Sequence, residues 1–420
     1  MAKDEATPCF STSDDRSEYV AGATACADLL ALFLGRTEWT RSESCVARVF
    51  RHPMKIGITC YPTYGGSGIV ATELGLELAM RGHEVHFITY ANPIRLDANI
   101  PHIHYHEVEV SNYPLFQYPP YCLALASRMA DVAMSYDLDL LHVHYAIPHS
   151  ISAMLARQML GKQRRLPFIT TLHGTDITLV GVDPSYFAIT KFSIEESDGV
   201  TAISEDLRRH TVEVFGVASE IRVIHNFVNC TTYAPDPERK RDHLLIHLSN
   251  FRPVKRVLDC IRILAEVRKN VDARLLMVGD GPERGPAEHL AAQLGISRHV
   301  EFTGKQNGVE RLIRRADALL MPSEMESFGL AALEAMACGI PAIGTRVGGV
   351  PELITDQEDG FLEAVGDIAA MSHRASQLLT DEALHDGMAT AARHTATTRF
   401  CTDLVIPRYE SYYQQVMQAG

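Results

Sequence analysis

Short apolar runs that alternate with helix-like stretches dominate the sequence from Met54 onward. They fall in two series, which cover residues 55–60, 84–90, 140–144, 167–171 and 199–202, and then 244–249, 274–278, 300–302, 318–321 and 341–345. Buried parallel strands have such continuous apolar segments, and each one needs a crossover, usually a helix, to reach the next. The pattern therefore predicts an α/β fold in which helices cover both faces of parallel sheets.

A polar, proline-containing segment separates the two series. It covers residues 230–243, CTTYAPDPERKRDH, and lacks the periodicity of a strand or a helix. We predict two Rossmann-like, doubly wound domains, at residues 54–229 and 244–395, joined by this linker. The remaining segment, 396–420, is expected to form a helix that packs back on the first domain. Because open α/β sheets bind ligands at the carboxyl ends of their strands, the two domains are expected to face each other across a ligand-binding cleft.

Residues 1–53 differ from the rest of the chain. They carry clusters of Asp and Ser and one apolar patch, with no alternation of strand and turn. We predict a poorly ordered extension and a functional start near Met54.

The net charge and the cysteines indicate which partners and which cellular compartment the sequence favours. A formal net charge of -13 argues against a nucleic-acid partner, which requires clustered Lys and Arg. The nine cysteines include no C-x-x-C pair and are typical of a reducing compartment. No window reaches the roughly eighteen apolar residues of a membrane span, and the basic run at 161–165 is too short for stable membrane binding. We expect a cytoplasmic protein, and the sequence leaves open whether it forms a homodimer.

The segment from Glu326 to Glu334, ESFGLAALE, is the strongest local signal. It follows a predicted strand, and a helix beginning near Phe328 would leave the amides of residues 327–330 free to bind phosphate. Glu326 precedes the helix, where its carboxylate can accept hydrogen bonds from sugar hydroxyls. Glu334 lies about two turns further on, within reach of a ribose diol. By spacing alone, the favoured interpretation of this segment is an ordinary amphipathic helix with two solvated acids, and only the other motifs reverse that preference.

Cations and a glycine-rich turn follow other predicted strands. Arg252 and Lys255 come after the first strand of the second domain, where they can neutralise a diphosphate. A surface pair at a helix start is the alternative. In the first domain, YGGSG at residues 64–68 lets a ligand approach the backbone of Gly66 and Ser67, and it departs from the dinucleotide-binding pattern G-x-G-x-x-G.

Histidines follow two neighbouring strands of the first domain. His173 and Asp176, in the run HGTD, are expected at the cleft, where they can hold a hydroxyl of an acceptor or a sugar. A zinc site at residues 142, 144 and 149 lacks a nearby Cys or Asp in metal spacing. Asp137 and Asp139 precede a strand, at the wrong end of the sheet for a metal-bound diphosphate. We therefore expect no metal at the cleft.

These motifs together resemble the retaining family-four glycosyltransferases of GT-B fold. The resemblance is carried by the segments NFRPVK at 250–255, VGDGPE at 278–283, ESFGLAALE at 326–334 and GTRVGGVPE at 344–352, in the family's order. It implies two Rossmann-like domains, transfer of a sugar from a nucleotide diphosphate without a metal or other cofactor, and catalytic roles for Lys255, Arg252, Glu326 and His173. The spacing of the basic pair is narrower here than is usual in the family.

A closer resemblance within that family covers residues from Met54 almost to the carboxyl terminus. Its segments are IGITCYPTYGGSG at 56–68, FQYPPY at 116–121, HVHYAIPH at 142–149, TTLHGTDIT at 170–178 and LSNFRPVKR at 248–256. It implies transfer of N-acetylglucosamine from UDP-N-acetylglucosamine (UDP-GlcNAc) to the hydroxyl of L-malate, with retention of configuration, as the first step of bacillithiol biosynthesis.

The positions of polar groups at strand ends and helix starts then predict which residues bind each substrate. The expected donor-binding residues are Gly66, Ser327, Phe328, Gly329, Leu330 and Glu334. The expected acceptor-binding residues are Ser67, Tyr145, Thr171 and His173. The alternatives are a related transferase with a lipid, sugar or sugar-phosphate acceptor, a sugar-nucleotide epimerase, or a nucleotide-sugar binding protein without turnover.

Overall fold

The computed structural model describes residues 53–63, 65–96, 100–111, 114–161 and 164–419. The predicted extension at residues 1–53 lies outside these residues, apart from Pro53.

A seven-stranded parallel sheet forms the first domain. In chain order its strands are β1 Lys55–Thr59, β2 Glu84–Thr89, β3 Ile103–Glu107, β4 Leu140–His144, β5 Phe168–Leu172, β6 Gly199–Ala202 and β7 Ile221–Val223. Their spatial order is β3-β2-β1-β4-β5-β6-β7, with every neighbouring pair parallel. The sheet is therefore doubly wound, and its order reverses direction at β1.

A six-stranded parallel sheet forms the second domain. Its strands are β8 Leu244–Ser249, β9 Arg274–Gly279, β10 Val300–Gly304, β11 Ala318–Met321, β12 Ala342–Thr345 and β13 Gly360–Glu363. The spatial order β10-β9-β8-β11-β12-β13 repeats the doubly wound pattern. The predicted α/β class with two parallel sheets is thereby confirmed.

Helices follow most of the strands. Those between the strands of the first domain are α1 Gly66–Met80, α2 Tyr121–Tyr136, α3 Ile151–Leu160, α4 Phe187–Glu195 and α5 Glu205–Phe215. Those of the second domain are α6 Val257–Val267, α7 Arg284–Gln293, α8 Glu310–Ile313, α9 Leu330–Ala337, α10 Val350–Leu353, α11 Ile368–Thr380 and α12 Glu382–Arg399. The chain then continues into α13, Thr402–Gln418. Among the helices of the described residues, none combines the length and apolarity that crossing a bilayer requires.

Three strands escaped the sequence analysis, and all three lie at the edge of a sheet. They are β3, β7 and β13, with sequences IHYHE, IRV and GFLE. The edge strands β3 and β7 are only partly buried, so they tolerate polar residues and lack a continuous apolar run, whereas β13 is largely buried but has only four residues. By contrast, all five residues of the central strand β4 are buried.

The last helix, α13, packs against the first domain. The Tyr413 hydroxyl is hydrogen-bonded to Nδ1 of His142 in β4 at 2.7 Å. The Tyr412 hydroxyl accepts a hydrogen bond from the amide of Val200 in β6 at 3.0 Å. Because the second domain precedes α13 in the chain, this packing ties the carboxyl terminus to the first sheet.

Buried histidines are expected to make the stability of the fold depend on pH. Burial disfavours the charged imidazole, and it lowers the pKa of His86, His142 and His173 to about 3 and that of His106, His149 and His247 to about 4. In the unfolded chain a histidine titrates near pH 6.5, so below that pH protons bind to the unfolded state in preference. Because protons favour the unfolded chain in this range, the free energy of unfolding is not reduced by histidine protonation above about pH 6.5. It falls as the pH is lowered from 6.5 toward 4.

We predict that the midpoint temperature of unfolding falls between pH 7 and pH 5. The His142→Gln variant should lose less stability over this interval than the parent chain, because it lacks one buried imidazole. His289→Gln, a substitution at an exposed position of α7, should behave as the parent does. Thermal unfolding followed by circular dichroism measures this, and equal midpoints at both pH values would contradict the prediction.

Candidate active site

Two adjoining chambers lie between the two sheets, at the carboxyl ends of their strands. The small chamber, of about 210 Å³, contains Arg95, Asp280 and Glu334, and the large chamber, of about 470 Å³, contains Tyr145 and His173. Residues of both domains line both chambers. Six residues are shared by the two linings, namely Gly65, Gly66, Asn250, Lys255, Glu326 and Leu330. These six form the junction of the chambers.

An ion pair stands at this junction. Lys255 closes the short 3₁₀ turn Pro253–Lys255 after β8, and its Nζ lies 2.6 Å from Oε1 of Glu326. The hydroxyl of Ser323, after β11, donates to the same oxygen at 2.9 Å. The side chains of Lys255 and Glu326 are 22% and 14% exposed, so solvent screens the pair only in part. Arg252 lines the large chamber beside it.

The amino end of α9 also reaches the junction. The helix begins at Leu330, two residues later than the predicted start near Phe328, because Gly329 adopts a left-handed conformation with φ 96°. The first amides of a helix have no partner within it, so this end carries partial positive charge. Ser327, Phe328 and Gly329 precede the helix and line the large chamber, whereas Leu330 lines both. The Phe328 ring itself is buried in the core.

Glu334 is a buried carboxylate in the wall of the small chamber. Its side chain is 6% exposed, the Tyr233 hydroxyl donates to its Oε1 at 2.8 Å, and Nη2 of Arg95 lies 3.5 Å from that oxygen. Burial raises the pKa of Glu334, while Arg95 and Tyr233 act in the opposite direction. Arg95 belongs to the first domain and Tyr233 to the predicted linker. Both residues were missed by the sequence analysis.

Polar rings meet in the wall of the large chamber. Nε2 of His173 is hydrogen-bonded to Nδ1 of His144 at 2.8 Å, and burial lowers the pKa of His173 to about 3. His173 is therefore neutral near pH 7. The ring of Tyr145 stacks on His173 with centroids 5.7 Å apart, and its hydroxyl is hydrogen-bonded to Oγ1 of Thr175 at 2.7 Å. Tyr145 has a φ of 91°, unusual for a residue with a side chain.

The glycine-rich turn brings the amino end of α1 to both chambers. Gly66 lines both, and Ser67 lines the large one, together with Tyr145. The first turn of α1 has no acidic residue, so its amide groups present uncompensated positive charge. A side chain at Gly68 would collide with the backbone oxygens of Tyr61 and Thr63, which explains the glycine there.

Thr171 requires a correction to the predicted acceptor set. The residue is fully buried, and its Oγ1 is hydrogen-bonded to Nε2 of His142 and to Oγ1 of Thr201, each at 2.6 Å. These partners lie on β4 and β6, the two neighbours of β5, so the hydroxyl joins three strands inside the domain. Thr171 is absent from the described linings of both chambers, where Thr175 is present instead. We therefore withdraw Thr171 from the acceptor-binding residues.

Asp176 supports the loop that carries His173. Its carboxylate accepts hydrogen bonds from the amides of Ala146, His173 and Gly174 at 3.1, 3.1 and 2.8 Å. The residue is fully buried, and it acts on the backbone of the site, in contrast to the expected contact with a ligand hydroxyl.

The two domains also contact each other beside the chambers. Glu352, from the second domain, accepts hydrogen bonds from the amides of Glu205 and Asp206 at the start of α5, each at 2.8 Å. His225 lies 3.0 Å from the same carboxylate. The negative charge of Glu352 thus meets the positive end of a helix from the other domain.

Two family models match consecutive parts of the chain. Residues 64–232 match "Glycosyltransferase Family 4", and residues 233–395 match "Glycosyl transferases group 1". Among curated proteins, the chain is 49% identical over 374 residues to the N-acetyl-alpha-D-glucosaminyl L-malate synthase of Bacillus anthracis, covering 87% of this chain and 98% of that one. It is 28% identical to a GDP-mannose-dependent mannosyltransferase of Mycolicibacterium smegmatis, covering 65% of this chain and 75% of that one.

Solved structures share the architecture. The sucrose-phosphate synthase of Thermosynechococcus elongatus matches with a TM-score of 0.74 at 20% identity, over 87% of this chain and 100% of that one. The Anabaena protein HepE, in complex with UDP and glucose, matches with a TM-score of 0.72 at 19% identity, over 86% and 99%. These likenesses confirm the predicted GT-B fold.

We predict that Tyr233→Phe destabilises the protein by about 2 kcal/mol, because a buried carboxylate loses its hydrogen-bond donor. The midpoint of urea unfolding should fall accordingly. Tyr186→Phe removes a hydroxyl from an exposed tyrosine and should leave the midpoint unchanged. If both variants unfold alike, the Tyr233 hydrogen bond does not stabilise Glu334.

Proposed function

The chain belongs to the family-four glycosyltransferases, and from this premise we propose that it transfers N-acetylglucosamine from UDP-GlcNAc to the hydroxyl of L-malate with retention of configuration. The product, N-acetylglucosaminyl malate, is the first intermediate of bacillithiol biosynthesis. The relative from Bacillus anthracis, of which this chain covers 98%, supports the N-acetylglucosaminyl group and the L-malate acceptor by its name. The observation that carries the proposal is the Lys255–Glu326 pair, since it lies in the lining that both chambers share.

The nucleotide of the donor is assigned to the small chamber. The buried carboxylate of Glu334 is placed to accept hydrogen bonds from ribose hydroxyls, while Arg95 and Tyr233 hold it in position. The diphosphate then reaches the junction, where Lys255, Arg252 and the amino end of α9 neutralise its charge. No metal ion is required in this proposal, because protein cations and helix amides supply the positive charge.

The acceptor is assigned to the large chamber. L-malate carries two carboxylates, and the lining offers the cation of Arg252, the hydroxyls of Ser67, Tyr145 and Thr175, and the amino end of α1. His173 is neutral near pH 7, so it is able to donate or accept a hydrogen bond at the reacting hydroxyl without adding charge. This lining favours a small dianion over a lipid acceptor.

Donor binding is expected to rearrange the ion pair. A diphosphate at the junction competes with Glu326 for the ammonium of Lys255, because both are anions within reach of it. Once Lys255 turns to the phosphate, the carboxylate of Glu326 becomes available to hydroxyls of the sugar. The Lys255–Glu326 contact is thus replaced by two contacts with the donor, one from Lys255 to the diphosphate and one from Glu326 to the sugar.

In the proposed reaction, the acceptor oxygen attacks the anomeric carbon from the face on which UDP departs. The bond between that carbon and the phosphate oxygen breaks, and the β-phosphate oxygen takes the proton of the malate hydroxyl. Lys255 and Arg252 stabilise the negative charge that grows on the leaving diphosphate. Contacts between the domains limit access of water, which otherwise hydrolyses the donor.

The cytoplasm is the proposed compartment, and the free cysteines of the described residues are consistent with it.

The proposed reaction predicts UDP release that depends on L-malate and persists in EDTA. Purified protein is incubated with UDP-GlcNAc and L-malate, and UDP and the mass of the product are measured. Succinate is the matched control, because it has both carboxylates and lacks the hydroxyl, so it should yield no product. UDP release without malate would contradict the acceptor, and loss of activity in EDTA would contradict the metal-free mechanism.

We predict that Lys255→Ala and Glu326→Ala each lower kcat by at least about a hundredfold, because each removes a charged group from the reacting centre. Lys269→Ala is the matched control, since Lys269 forms a Lys–Glu pair of the same 2.6 Å length with Glu266 on the surface. The control should retain the parental rate. Folded Lys255→Ala protein with parental kcat would overturn the assignment of the junction.

A further inference from the structure

A second group of ligating side chains lies on the edge of the first sheet, outside both chambers. Glu84 and His86 are two residues apart on β2, so their side chains share one face of the sheet. His104 on the edge strand β3 is the register partner of His86, and it places a second imidazole beside the first. None of the three residues appears in the described lining of either chamber.

The donor atoms of this group converge. Oε1 of Glu84 lies 3.3 Å from Nε2 of His86 and 3.2 Å from Nε2 of His104, and all three atoms lie within 4.8 Å of one another. Ligand atoms bound about 2.0–2.2 Å from a tetrahedral zinc ion are separated by about 3.3–3.6 Å. The two measured separations from Glu84 are therefore close to those of a bound ion.

His86 provides an independent indication of a ligand. The residue is fully buried, and its Nε2 has no hydrogen-bond partner among the described residues, despite its closeness to Glu84. Its Nδ1 is hydrogen-bonded to Nε2 of His106 at 2.9 Å. When Nδ1–H donates in that bond, Nε2 carries a bare lone pair, and this nitrogen lies close to the donor atoms of Glu84 and His104. Metal-binding histidines are held in this way, with the second nitrogen donating to a neighbour.

The neighbouring positive charge does not occupy the oxygen of Glu84 that faces the histidines. Lys55 is the nearby cation, with its Nζ 3.9 Å from Oε2 of Glu84, the carboxylate oxygen that does not face the histidines. The Lys55 ammonium also donates to the carbonyl oxygen of Tyr136 at 3.1 Å, which keeps it on that side.

We propose that Glu84, His86 and His104 bind one divalent transition-metal ion, of which Zn²⁺ is the representative. Two imidazoles and one carboxylate form a ligand set that suits zinc, and water completes the coordination. Solvent reaches the site because the side chains of His104 and Glu84 are 41% and 31% exposed. The ion bridges β2 and the edge strand β3, so its effect is to stabilise the sheet edge and not to take part in sugar transfer.

The test is a titration of the untagged, EDTA-treated and dialysed full chain with ZnCl₂, followed by calorimetry. We expect about one zinc ion per chain and a rise in the midpoint temperature of unfolding on binding. His104→Ala and Glu84→Gln should each weaken binding at least about tenfold, and neither should then show the thermal shift. His289→Ala, at an exposed position of α7, is the matched control and should bind zinc as the parent does.

The visible absorption of Co²⁺ distinguishes metal binding by these residues from a purely structural role. The parent should give visible absorption bands of cobalt bound to nitrogen and oxygen ligands, and His104→Ala should lose them while its far-ultraviolet circular dichroism stays unchanged. The proposal is overturned if the parent binds no zinc, or if folded His104→Ala and Glu84→Gln bind it with parental affinity. Glycosyl transfer in EDTA is independent of this outcome, so the two proposals fail separately.

Discussion

The direction of the strands is the constraint on which the whole structure depends. In a parallel sheet every strand ends at the same edge, so every loop that follows a strand opens there. Two such sheets facing each other collect the loops after β1, β5, β8 and β11 around one space. The glycine-rich turn at Gly66, His173, Lys255 and Glu326 come from these loops, although they lie far apart in sequence. The strand directions alone therefore bring these loops together, whatever side chains the loops carry.

Positive, negative and neutral groups occupy different parts of that space. The junction carries Lys255 and the amino end of α9, while Glu334 stands in the small chamber and neutral His173 in the large one. In the proposed reaction, a diphosphate at the junction replaces Glu326 as the partner of Lys255, so this partly buried cation is not left unpaired. Although the net charge of the protein is -13, Lys255 and Arg252 supply positive charge at the chambers.

The sequence predicts the central parts of this molecule much better than its edges. The strands 140–144, 199–202, 244–249 and 318–321 were placed correctly because full burial requires continuous apolar runs. Strand β3 was missed because IHYHE has no such run, and the same histidines that hide the strand belong to or adjoin the proposed metal site. Local patterns predicted the glycosyltransferase family and four of the six residues of the junction, since those patterns are contiguous in sequence. The four are Gly66, Lys255, Glu326 and Leu330.

What sequence alone did not reveal are contacts between distant segments. Thr171 was placed at the cleft because it ends the predicted strand 167–171, yet its hydroxyl is hydrogen-bonded to β4 and β6. Arg95 was overlooked because its partner Glu334 follows 239 residues later. Two cations follow the carboxyl ends of strands, Arg95 in the loop after β2 and Lys305 directly after β10. Their positions could have indicated that both line the cleft.

The environment of Glu334 couples the proposed nucleotide site to the arrangement of the domains. A buried carboxylate is costly unless it is paired and hydrogen-bonded, and here the compensating groups come from two other segments, Arg95 of the first domain and Tyr233 of the linker region. Separation of the domains would remove Arg95 and leave the carboxylate short of positive charge. The closed arrangement and the small chamber therefore stabilise each other, and Glu352 reinforces that arrangement by accepting amide hydrogen bonds from α5 across the domain boundary.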